Sequence, residues 1–86
     1  MKKIKIAFID DSAQMVKMYE DYFLRDAAFE VVGSAADGMK GLQLIEKAQP
    51  DAVLLDIVMP ELDGFGVLDR LNAAKSRLKI IMVSAL

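Results

Sequence analysis

Eighty-six residues allow one small domain, and 55% apolar with 28% charged residues describes a folded globular chain rather than a disordered one. The net charge of −2 argues against nucleic acid as the partner of this segment, because phosphate-rich surfaces are met by a basic excess. Cysteine and histidine are both absent, which excludes disulfides, cysteine-ligated zinc and the usual general base near neutral pH.

The opening MKKIKIAFIDD sets two lysines before an apolar run, as a signal peptide does. Lys5 interrupts that run, two acids end it, and no small-residue cleavage site follows. It reads as the first strand, IKIAFI over 4–9, of a cytoplasmic protein. No apolar run reaches the ~20 residues that a bilayer crossing needs, so no membrane partner is expected. Ser12 is placed to cap the next helix, AQMVKMYEDYFLRD, where Met15, Tyr19, Tyr22 and Phe23 recur at helical spacing. FEVVGSA (29–35) reads as the second strand and ADG (36–38) as a turn. MKGLQLIEKA is the second helix, with Leu42, Leu44 and Ile45 inward and Pro50 marking its end. DAVLLD (51–56) is the third strand, IVMPELDG a loop, FGVLDRLNAA the third helix and KIIMVSA (79–85) the fourth strand. Met15, Met18 and Met82 are assigned to core packing, the usual use of methionine.

Strands that alternate with helices and are apolar almost throughout predict an α/β fold: a doubly wound parallel sheet covered on both faces. No repeat, low-complexity tract or linker divides it. In such sheets sites form beyond the carboxyl ends of the strands, where the strand order reverses. If strands one and three are neighbours, Asp10, Asp11 and Asp56 converge there. Strand two then lies on the far side of strand one, and right-handed crossovers put the first helix on one face and the next two on the other. Three clustered carboxylates repel one another, and a hard cation such as Mg²⁺ resolves the conflict. Acids after strands also serve simply as helix caps, and Asp11 or Ser12 can be explained that way. Asp56 is harder to explain so, because four apolar residues lead straight into it. Glu61 and Asp63 read as solvated loop acids.

Three segments, FIDDS, LLDIVMPELDG and IIMVSA, together resemble the receiver domain of two-component response regulators, and the match covers all 86 residues. Within that family the sequence is most similar to the receivers of sporulation phosphorelay regulators. The resemblance implies a flavodoxin-like sheet of order 2-1-3-4 and a phospho-acceptor, Asp56, that takes its phosphoryl group from a phosphohistidine or a small acyl phosphate. It implies Mg²⁺ held by Asp11, Asp56, the Val58 carbonyl and, through water, Asp10. Ser84 would offer its hydroxyl to the phosphoryl group, Ala85 would leave room for it, and Pro60 and Gly64 would shape the loop after the acceptor. The implied donor is a histidine kinase or phosphotransferase, and the implied output is a transcriptional domain outside this segment. The module itself is expected to be a switch and not an enzyme.

The sequence departs from the family at its end. A full receiver continues through a fourth helix, a fifth strand carrying an aromatic switch residue, a lysine that meets the phosphoryl group, and a fifth helix. Residues 1–86 therefore read as the N-terminal portion of a receiver, with strand four an open apolar edge expected to pair with a second copy. Two other functions compete. A metal-dependent phosphohydrolase also forms an aspartyl-phosphate, but often carries a second acid two residues on, where this chain has Val58. In an oligomerisation module the acids would be structural only.

Overall fold

The computed structural model describes residues 2–56 and 78–83. Its elements follow the predicted alternation: β1 (Ile4–Ile9), α1 (Ala13–Leu24), β2 (Phe29–Ala35), α2 (Gly38–Ala48), β3 (Ala52–Asp56) and β4 (Lys79–Val83). The expected third helix lies outside the described residues. All pairings are parallel, as the strand patterns predict, and the sheet order is β2-β1-β3-β4, as the family resemblance implies. Among the described residues no helix is long and apolar enough to cross a membrane.

β1 is an inner strand, and both of its faces are covered. Ile6, Ala7, Phe8 and Ile9 are all 1% exposed or less, which only an unbroken apolar run tolerates. The two faces build separate cores. Ile6, Phe8, Ala52 and Leu54 point toward α1, where Tyr19 and Phe23 meet them. Ala7, Ile9, Val53 and Leu55 point the other way, toward Leu42, Leu44 and Ile45 of α2. The two crossovers thus cover opposite faces, as right-handed connections require on either side of β1.

Aromatic rings fill the α1 side. Phe8 lies 5.5 Å from Tyr19 and 5.7 Å from Phe23, and Phe23 meets Phe29 edge-on at 4.8 Å. The inward stripe of α1 is Val16, Tyr19 and Phe23, and this corrects two sequence expectations. Tyr22 and Met18 occupy the neighbouring ridge and stand 69% and 57% exposed, so neither is a core residue. α1 also ends at Leu24, two residues early. Asp26 is drawn into a turn instead, where its carboxylate accepts from the Ala28 amide at 2.9 Å and its carbonyl from the Phe29 amide at 3.1 Å.

Asp37, expected in a turn, is the N-cap of α2 and accepts from the Lys40 amide at 2.8 Å. Gln49, left-handed at φ 47°, closes that helix just before Pro50. β3 starts one residue later than expected. The Lys5 amide donates to the Asp51 carboxylate, and the Asp51 amide donates to the Lys5 carbonyl, each at 2.8 Å. Opposite Ile6 and Ala7, β2 carries a bulge at Val32–Gly33, with Gly33 at φ 154°.

α2 can approach β1 closely only because position 41 has no side chain. A Cβ there would stand 2.6 Å from Cδ1 of the fully buried Ile9. Gly41→Ala is expected to lower the urea midpoint of unfolding. Overpacking of about 1–3 kcal/mol outweighs the ~1 kcal/mol that alanine contributes as a helix former.

Candidate functional site

The β1–β3 register sets Ile9 beside Leu55, so the residues that follow them emerge side by side. Asp10 comes directly after β1, and Asp56 is the last residue of β3. Carboxylate oxygens of Asp10, Asp11 and Asp56 all lie within 4.8 Å of one another. The predicted convergence of the three acids is therefore present. Asp10 is 6% exposed, Asp56 half-buried and Asp11 exposed, so the cluster grades from the protein interior to solvent. A groove of about 480 Å³ opens beside it, lined by Asp10, Asp11, Glu20, Ser34 and Lys40 among others.

Local hydrogen bonds decide what these acids are free to do. The Asp10 amide donates to the Ala35 carbonyl at 3.0 Å, which extends the sheet one residue past β1. One carboxylate oxygen of Asp10 accepts from the Ser12 amide at 2.9 Å. The Ser12 hydroxyl accepts from the Met15 amide at 3.2 Å and so caps α1. The capping role open to Asp11 or Ser12 on sequence grounds thus belongs to Ser12.

Alternation along the strands puts Asp10 in line with Ile6 and Phe8, and Asp56 in line with Ala52 and Leu54. Both acids thus stand at the end of the α1-facing core. There the structure adds a residue that the sequence reading placed only in a helix stripe. The Tyr19 hydroxyl is buried and has no hydrogen-bond partner among the described residues. Burial first, then the charges of Asp10 and Asp56, push its phenol above the ordinary value. Attraction toward Asp10 adds to that rise, although the contact falls short of hydrogen-bond geometry. A buried polar group left unsatisfied costs about 1–3 kcal/mol. The sequence signal was a phenol, where leucine or phenylalanine would pack, on the inward stripe two turns after the acid pair.

The donor set is hard oxygen, with no thiolate or imidazole anywhere in the chain. That chemistry suits Mg²⁺ or Ca²⁺ rather than zinc or copper. The other residues named from the sequence, Val58, Pro60, Glu61, Asp63, Gly64, Ser84 and Ala85, lie outside the described residues.

Three comparisons bear on this geometry. Residues 6–86 match the family model described as the response regulator receiver domain. Over 85 residues the chain is 39% identical to a protein-glutamate methylesterase/protein-glutamine glutaminase of Pyrococcus horikoshii, covering 99% of this chain and 23% of that protein. The response regulator domain of Thermotoga maritima CheB superposes with a TM-score of 0.91 at 33% identity, over 99% of this chain and 63% of that one. The CheX–CheY–BeF₃–Mg²⁺ complex from Borrelia burgdorferi gives a TM-score of 0.88 at 30% identity, over 96% and 63%. The chain thus spans less than a quarter of the methylesterase and under two thirds of these two solved chains. The sporulation likeness and the transcriptional output expected from the sequence find no support in these relatives.

Asp11→Asn removes one of three like charges at its solvent-exposed end. In metal-free buffer it is expected to raise stability by about 1 kcal/mol, the Coulomb energy of one close pair at a water-like dielectric. Thermal melts in the presence of a chelator measure this, and added salt is expected to shrink the gain.

Proposed function

The chain belongs to the response regulator receiver family, and on that premise we propose that it accepts a phosphoryl group on Asp56 from a phosphohistidine donor. The observation that carries the reading is the convergence of Asp10, Asp11 and Asp56 at the carboxyl ends of two paired strands. In the step proposed, a carboxylate oxygen of Asp56 forms a bond to phosphorus while the phosphorus–nitrogen bond of the donor breaks. The electron pair leaves with the imidazole nitrogen. Phosphoryl transfer of this kind asks for in-line positioning and charge neutralisation more than for acid–base groups. A chain without histidine or cysteine can supply both.

Asp10, Asp11 and Asp56 would hold Mg²⁺, which supplies the positive charge that lets a carboxylate and a phosphoryl group meet. The receiver complex that contains Mg²⁺ and BeF₃ supports this choice among hard cations. Each acid has its own part. Asp56, fixed by β3, is the nucleophile. Asp10, held by the Ser12 amide, is the inner anchor. Asp11 closes the solvent side. Ser84 and the Val58 carbonyl remain proposed contacts, from the sequence resemblance.

The donor class is a histidine kinase or phosphotransferase. For the output of a longer protein, the methylesterase likeness supports an esterase domain. The receiver itself is proposed to switch rather than to turn over substrate.

Incubation with acetyl phosphate and Mg²⁺, followed by intact mass, tests the reading. One stable phosphate per chain is expected, absent in Asp56→Asn and retained in Asp21→Asn on the exposed side of α1. Acetyl phosphate consumed without accumulation would favour the phosphohydrolase, and an unmodified chain would favour the structural reading of the acids.

A further inference from the structure

We propose that Tyr19 is a positioning residue for the acid cluster, its hydroxyl donating a hydrogen bond to the Asp10 carboxylate when a divalent cation is bound. The inference deepens the proposed Mg²⁺-dependent reading and rests on it.

Its ground is an interior hydroxyl with no hydrogen-bond partner among the described residues. The Tyr19 ring is fixed by Phe8 at 5.5 Å and by its place on the inward stripe of α1. If packing were its whole role, phenylalanine would fill the same space without burying an unsatisfied oxygen. That oxygen sits where the α1-facing core runs out into Asp10 and Asp56, and both carboxylates act on it electrostatically. A phenol carries one O–H, so toward the cluster it can act as a donor.

A donor on Asp10 from this side would add to the one it already has. The Ser12 amide holds one of its oxygens from the helix side. Groups behind a metal's carboxylate ligands commonly fix their orientation, and losing one costs about 10–100-fold in metal affinity. Tyr19 approaches from the sheet's α1 face, the side opposite α2.

The test uses the near-isosteric Tyr19→Phe. Unfolded with urea in chelator, the variant is expected to match or exceed the unmodified chain, because an unsatisfied hydroxyl has gone. Its Mg²⁺ affinity, read from amide shifts, is expected to fall about tenfold. A second readout needs no change at position 19. In a Tyr22→Phe background Tyr19 is the remaining tyrosine, and its near-ultraviolet absorbance is expected to move to longer wavelength as Mg²⁺ is added. Equal Mg²⁺ affinity with and without the hydroxyl would overturn the proposal, and so would an absorbance indifferent to Mg²⁺. A variant weakened in chelator but unchanged toward Mg²⁺ would make the hydroxyl structural and overturn it as well. An unmodified chain that binds no Mg²⁺ would overturn the parent reading, a failure visible before any variant is made.

Discussion

Everything at the candidate site depends on one parallel pairing, that of β1 with β3. Its register places Ile9 beside Leu55, and the acids that follow have no freedom to be elsewhere. Parallel strands cannot be joined by a tight turn, so the pairing requires a long excursion through α1, β2 and α2. That excursion supplies the helices that bury the strands. The same connection therefore makes the core and brings the charges together.

Burial works on both sides of this pairing but to different ends. On the α2 face the fit is close and wholly apolar, with Gly41 letting the helix settle onto Ile9. On the α1 face the core is aromatic, and it grades through a phenol into carboxylates. Burial falls along that path, from Phe8 at 0% exposed to Asp10 at 6% and Asp56 half-buried, as charge takes the place of apolar contact. The α1 face thus joins packing to chemistry, whereas the α2 face is structural.

Most of the fold was legible in the sequence because inner parallel strands are apolar without interruption. IKIAFI on inner strand β1 and FEVVGSA on edge strand β2 were read to the residue, while the sheet order came from the family resemblance. Element ends were less legible, since Asp26, Asp37 and Asp51 act through single hydrogen bonds to backbone amides that hydrophobic periodicity does not register. On α1 the sequence offered two adjacent apolar ridges, and only the sheet chose between them, leaving Met18 and Tyr22 outside. Asp10, Asp11 and Asp56 were legible because a carboxylate after a buried strand is costly. Tyr19 was not, because a tyrosine on an inward stripe looks like any other aromatic until its hydroxyl is found without a partner.

The bond between the Lys5 amide and the Asp51 carboxylate joins residues 46 positions apart. Contacts of that span form late, because the chain must surrender the entropy of a long loop before they return anything. On a ribosome, where synthesis proceeds from the N-terminus, Asp10 and Asp11 emerge well before Asp56 exists. A nascent or partly folded chain can carry two of the three acids and still have no site. Assembly of the three-acid cluster is thereby tied to completion of the sheet, and it is present only in molecules that have finished folding this region.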